Sequence, residues 1–158
     1  MNEASIRIEK AMSEDFKEIL RVINEANQEA FSRIIPKEHF KEPILTHEEL
    51  NECMKRMTFY IHRHKEQIVA VAALSVEDDV SGRIRWVYVL SEYQKRGLGT
   101  ATVLHLEKVA KEMGLKKVKL ITDNGAEWAI RFYQKLGYTL AYRVPNPWGF
   151  DVWMERHL

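Results

Sequence analysis

Between Val87 and Thr100 the chain reads Val-Tyr-Val-Leu-Ser-Glu-Tyr-Gln-Lys-Arg-Gly-Leu-Gly-Thr. An apolar, strand-like run gives way to a polar turn, and a basic segment with glycines then opens onto a helical pattern. That order of residue types suits anion binding. The first N–H groups of a helix lack internal partners and stand at the positive end of its dipole, so they can wrap a phosphate. Gly97 and Gly99 carry no Cβ, which lets the main chain approach a ligand, and Lys95 and Arg96 add positive charge beside it. Two common phosphate loops are excluded. Gly97-Leu98-Gly99-Thr100-Ala101-Thr102 lacks the third glycine of a dinucleotide fingerprint, and no glycine is followed by Lys-Ser/Thr as in a Walker loop.

The order Gln94-x-x-Gly97-x-Gly99 between a strand and a helix resembles the acetyl-CoA signature of the GNAT superfamily of N-acetyltransferases. Further on, Ala129-Ile130-Arg131-Phe132-Tyr133-Gln134-Lys135-Leu136-Gly137-Tyr138 resembles the A-x-x-F-Y-x-K-x-G-F/Y segment of the same family. The resemblance implies transfer of an acetyl group from a thioester to an amine, with acetyl-CoA as cosubstrate and no metal. Such a reaction must hold the donor, polarise its carbonyl oxygen and handle protons on amine and thiolate.

The resemblance also implies who does this. The main chain of Val87, Tyr88 and Val89 would pair with the pantetheine arm, one N–H facing the thioester oxygen. Lys95, Arg96, Gly97, Leu98, Gly99 and Thr100 would cradle the pyrophosphate through main-chain amides. Tyr133 occupies the position of the tyrosine that protonates the departing thiolate; a phenol with an ordinary pKa of about 10 is protonated at neutral pH and able to donate.

This chain departs from the family pattern in two places. Seven residues before the tyrosine the family usually has an asparagine that helps hold the coenzyme; here Ala126 stands there, and Asn124 is the substitute candidate. Asn124-Gly125 is equally a turn signal. The general base is the second departure. The strand Arg83–Val89 carries no glutamate, and Ile121 stands where relatives acting on ribosomal proteins often carry one. Proton loss through water to Glu29, Glu77, Asp78 or Asp79, or an acceptor of low pKa, is what remains. No placed nucleophile suggests an acyl-enzyme: Cys53 lies on an apolar helical stripe, which favours direct transfer. His62 and His64 alternate along one strand without a third ligand, too little for a metal site.

By the same resemblance the acceptor would lie between the first two helices and the last strand pair. Phe31, Ile34, Ile35, His39, Phe40, Tyr142, Trp148, Phe150 and Trp153 are candidates to line that region. Such an aromatic group suits either a pocket for a small amine or a homodimer surface. A protein N-terminal or lysine acetyltransferase, and a coenzyme-binding regulatory module without turnover, are the alternative functions.

Those residues need a scaffold, and periodicity supplies one. Ile6 and Ile8 alternate in an expected first strand, and Ser13 is an expected N-cap for a helix with Phe16, Ile19, Leu20, Ile23 and Ala30 on one face. Thr46-His47-Glu48-Glu49 is a capping box for a second helix. Strands are expected over 58–64, 67–76, 83–89 and 116–122, a helix with Val103, Leu106, Ala110 and Met113 inward, a fourth helix through Tyr133, and a final antiparallel pair over 138–144 and 150–156. The order β-α-α-β-β-β-α-β-α-β-β predicts an α/β (α+β type) fold: a mixed, mostly antiparallel sheet of about seven strands flanked by about four helices. It agrees with the GNAT order along almost the whole chain.

The 158 residues are expected to form a single domain, residues 1–158, with an ordinary globular composition of 46% apolar and 30% charged residues. A net charge of +1 gives no general reason to expect nucleic acid. No long apolar run predicts a membrane span, and the start does not resemble a secretory signal. One cysteine excludes an internal disulfide, so a cytoplasmic location is expected.

Overall fold

The computed structural model describes residues 6–158. A short strand β1 (Glu9–Lys10) and a 3-10 turn (Ser13–Asp15) lead into helices α1 (Phe16–Phe31) and α2 (His47–Arg56). Strands β2 (Thr58–His64), β3 (Gln67–Val76) and β4 (Ser81–Val89) follow, then α3 (Leu98–Glu112), β5 (Lys117–Asp123), α4 (Glu127–Lys135), β6 (Thr139–Asn146) and β7 (Gly149–His157). The strands form one sheet in the order β1-β2-β3-β4-β5-β7-β6, in which only β4 and β5 run parallel.

Two cores lie on opposite faces of that sheet. On one, Ile19, Val22 and Ile23 of α1 and Leu50 of α2 pack on Ile61, Val71 and Ala73. On the other, Val103, Leu106 and Ala110 of α3 and Tyr133 of α4 pack on Ile84, Val118, Leu120, Val152 and Met154. A charged tie crosses the second core: Glu107 accepts from the Tyr138 hydroxyl at 2.8 Å and from Arg156 at 2.7 Å.

The capping box of α2 forms as its residue types require. Thr46 Oγ1 accepts from the Glu49 N–H at 3.1 Å, and the Glu49 carboxylate accepts from the Thr46 N–H at 2.9 Å. Three local expectations change. Ser13 does not cap α1; Asp15 accepts the Met12 N–H at 2.8 Å and pairs with Arg63, so the chain enters α1 through a 3-10 turn. Ile6 and Ile8 precede the first strand, which is confined to Glu9–Lys10. Met113 lies beyond the end of α3 and is exposed, because the helix stops at Glu112 and Gly114 adopts a φ of +87°.

Strand β4 decides the shape of the cleft. Arg85 is opposite Ala73, but Tyr88 is opposite Val71, so β4 carries one residue more than β3 across that interval. The extra residue is a β-bulge at Trp86, which holds the left-handed φ of +56°. Pairing with β5 covers only Ser81–Arg83 against Lys117–Lys119. Past the bulge the two parallel strands part, and an edge of β4 opens inside the sheet.

Candidate active site

A cavity of about 590 Å³ fills the gap between the parted strands. Val87, Tyr88 and Val89 form one wall and Leu120, Ile121 and Thr122 the other; Ala26, Ala30 and Phe31 of α1, Gly99 and Thr100 of α3, and Phe132 and Tyr133 of α4 close it. The Leu90 N–H donates to Val69 at 2.9 Å. Strand alternation therefore turns the main-chain groups of Val87 and Val89 to the other side, toward the cavity. Gln94 Nε2 donates to the Val89 carbonyl at 3.0 Å and ties the turn to the strand end. Gln94 had no assigned role before; its fixed place in the Gln-x-x-Gly-x-Gly spacing was the signal.

The glycine loop takes the shape its residues suggest. Gly97 is the N-cap of α3 with φ +81°, and its carbonyl accepts the first helical bond from Ala101 at 2.9 Å. Lys95 is also left-handed, at φ +61°. Among the described residues the N–H groups of Leu98, Gly99 and Thr100 have no protein acceptor, as expected of a first helical turn. Lys95, Gly97, Gly99 and Thr100 line the cavity. The Arg96 guanidinium lies 5.1 Å from the Tyr93 ring, Leu98 is buried in the first core, and neither lines it.

Tyr133 lies in the cavity wall, with ring neighbours Phe132 at 5.0 Å and Tyr138 at 5.6 Å. Burial, with a smaller contribution from nearby Tyr88, pushes its phenol well above the ordinary range, so the proton stays on. Tyr88 is likewise pushed up by burial, and its hydroxyl donates to Asn27 Oδ1 at 2.8 Å. Asn27 is a buried amide on the apolar stripe of α1; a polar residue on such a stripe is itself a signal.

Asn124 is exposed and outside the cavity lining. Its N–H donates to Phe150 at 2.9 Å while Gly125 N–H turns back to Asp123 Oδ1 at 2.8 Å, the local geometry of a turn. Ala126 is fully buried at the N-cap of α4. Among the described residues no aspartate or glutamate lines the cavity. Glu29, Glu77, Asp78 and Asp79 all lie outside it, and Asp78 is engaged with the N–H groups of Val80 and Ser81 at 2.9 and 2.8 Å. His62 is buried with Nδ1 2.8 Å from the Arg7 carbonyl, and no cluster of metal-ligating residues occurs among the described residues.

The aromatic acceptor candidates divide. Only Phe31 lines the cavity. The His39 ring packs at 5.4 Å on Trp148, whose indole N–H donates to Asp123 Oδ2 at 2.6 Å. Trp153 stacks on Tyr142 at 5.7 Å, and Tyr142 and Phe150 are exposed.

A parted parallel strand pair, a bulge that exposes main-chain groups, and an uncapped helix N-terminus meeting in one cavity define an acyl-transfer scaffold. The Acetyltransferase (GNAT) family model matches residues 14–138, and the chain belongs to that family, whose acetyl donor is acetyl-CoA. YdhI of Bacillus subtilis (strain 168) is 43% identical over 56 residues, 35% of each chain, so the match spans about a third of that relative. The PaiA N-acetyltransferase of Thermoplasma acidophilum, solved with coenzyme A, has a TM-score of 0.83 at 21% identity, covering 98% of this chain and 99% of its own. An aminoglycoside 6'-N-acetyltransferase, also solved with coenzyme A, has a TM-score of 0.76 at 17% identity over 96% of both chains. At such identities these two structures speak for the fold alone.

The residues present suit an acetyl-CoA molecule. The free α3 amides match a pyrophosphate, and the Val87 and Val89 main chain matches an amide-bearing arm. The cavity between them is lined by β4 from Ile84 to Val89 and is partly apolar, as a chain of methylenes and amides requires.

Proposed function

We propose that this chain is an acetyl-CoA-dependent N-acetyltransferase that transfers acetyl directly to a primary amine of a small molecule. The observation that carries this reading is the convergence in one cavity of the β4 edge, the α3 amides and Tyr133. In it, Val87 to Val89 hold the pantetheine arm, and the N–H groups of Gly97 to Thr100 hold the pyrophosphate beside Lys95. One β4 N–H faces the thioester oxygen as charge develops there. Tyr133 keeps its proton through burial and gives it to the departing thiolate.

With no carboxylate among the described residues of the lining, the acceptor ammonium releases its proton to water. A small acceptor is favoured over a folded protein surface by the loop after α1. His39 is pinned on Trp148 in the turn of the last hairpin, and Ile34 Cγ2 stands 2.7 Å from where a Gly125 Cβ would be, so this loop packs on the hairpin turn and on the β5–α4 turn beside the cavity.

The test is calorimetric titration of the purified protein with acetyl-CoA, coenzyme A and NADPH, followed by thiol release across a panel of amines. Saturable binding of acetyl-CoA and coenzyme A but not NADPH, with acetyl transfer to at least one small amine, is expected. No acetyl-CoA binding by folded protein refutes the donor assignment. Tight binding without turnover on any amine favours the regulatory-module reading.

A further inference from the structure

Arg83 and Arg85 are two residues apart on β4 and so share a face of the sheet. Both are partly buried, and among the described residues neither has a carboxylate within ion-pair distance. Each guanidinium is laid on an indole instead: Arg85 Cζ is 5.0 Å from the Trp86 ring and Arg83 Cζ 4.9 Å from the Trp153 ring. Stacking occupies the flat faces and leaves the in-plane N–H edges free to donate. Two buried donors, Arg83 Nε and Trp86 Nε1, have no acceptor. Arg83 lines neither of the two cavities beside β4, but the unpaired Arg85 charge and the orphaned Trp86 donor, adjacent on β4 in the cavity wall, are costly to keep, and a bound anion would relieve both.

The position of this face identifies the anion's carrier. Arg85 and Trp86 line the cavity that Tyr133 and Val87 line, and they also line a second cavity of about 490 Å³ between α2 and β4. The phosphates of the donor are accounted for at the far end of β4, on the α3 amides. An anion beside Arg85 therefore belongs to the acceptor. In the second cavity Glu49 is held by Lys41 at 2.6 Å and Glu52 by Lys55 at 3.0 Å, so among the described lining residues Glu48 alone is a carboxylate without an ion pair, against the guanidiniums of Arg56 and Arg85.

We propose that the acceptor is an amine that also bears a carboxylate, held by the in-plane edge of Arg85 and by the Trp86 indole N–H. A planar carboxylate accepts two parallel N–H bonds from a guanidinium fork. The proposal rests on the N-acetyltransferase reading, but its test separates the two.

Glycine, 4-aminobutyrate, L-leucine and L-phenylalanine are each compared with the corresponding carboxamide. Calorimetry is done on the full chain with and without coenzyme A, and kcat/KM is measured by thiol release. At least one acid should exceed its amide by about tenfold or more in both affinity and kcat/KM. Arg85→Gln should abolish that preference while coenzyme A affinity stays unchanged, which also shows that the variant is folded; Arg83→Gln, outside both cavities, is the control and should keep it. Equal binding of every acid and its amide overturns the proposal, as does a preference that survives Arg85→Gln. Inorganic phosphate competing as well as the preferred acid, or spermidine surpassing every acid, overturns it too. Loss of acetyl-CoA binding would strike the transferase reading, yet the acid-against-amide comparison without coenzyme would still decide the subsite.

Discussion

Phe132 of α4 closes directly on Gly99 of α3: a Cβ built on Gly99 would stand 3.3 Å from Phe132 Cζ. The glycine therefore serves two surfaces, the ligand-facing amides and the contact between two helices. Gly99→Ala should push the ring into the cavity, costing about 1 kcal/mol of stability and weakening coenzyme A binding. Gly99→Trp should abolish binding. Calorimetry with thermal unfolding on the same samples checks both, and unchanged coenzyme affinity in the tryptophan variant would remove Gly99 from the cradle.

The Tyr88–Asn27 hydrogen bond joins the cavity floor to α1. Tyr88→Phe leaves a buried amide oxygen unpaired, and Asn27→Ala leaves a buried hydroxyl unpaired. Each should destabilise by about 1–3 kcal/mol. The double variant should lose less than the sum, since the pair acts as a unit. Urea unfolding of the four proteins in the cycle measures this; strict additivity would show that the bond contributes nothing.

Tyr133→Phe should lower kcat by about 100-fold or more while coenzyme A affinity is nearly kept. Because burial raises the phenol pKa, its neutral, donating form persists to higher pH than a free phenol's. The wild-type rate should therefore show no loss due to Tyr133 up to about pH 10. A pH–rate profile that falls near neutrality, with a fall that disappears in Tyr133→Phe, would contradict this role.

Asp15 gives an acid-dependent prediction. Burial alone would raise its pKa, but the Met12 N–H and Arg63 outweigh it, and the carboxyl ends below its ordinary value. A depressed folded pKa means stability that is fully present above the unfolded value of about 3.9 and is lost as pH falls through the folded one. Arg63→Gln should cost about 2 kcal/mol near pH 7, and the gap to wild type should shrink below about pH 4. Denaturant unfolding at pH 7 and pH 3 tests it; a gap independent of pH would deny the ion pair a share in stability.

What the sequence made legible was local. The Thr46 capping box involves only neighbours, the glycine loop marks its own helix start, and the strands expected over 58–64 and 67–76 match β2 and β3. The bulge at Trp86 was not legible, because the left-handed residue is a tryptophan and carries no turn signal; tertiary packing holds it there. Nor could periodicity tell which aromatic residues meet. His39 and Trp148, far apart in the chain, make one contact, whereas Phe31 meets Trp128 at 5.8 Å in the cavity wall. The unpaired state of Arg83 and Arg85 is likewise a property of what surrounds β4, not of β4.

Sheet edges are where polypeptides usually recruit other polypeptides, and unguarded ones invite aggregation. The bulge at Trp86 creates such an edge in the middle of this sheet, where α1, α3 and α4 wall it in. A second protein strand would have to bring its side chains into a space those helices already line. A side-chain-free string of methylenes and amides carries none. The same irregularity thus presents a reactive-looking edge and encloses it against the partners such edges usually recruit.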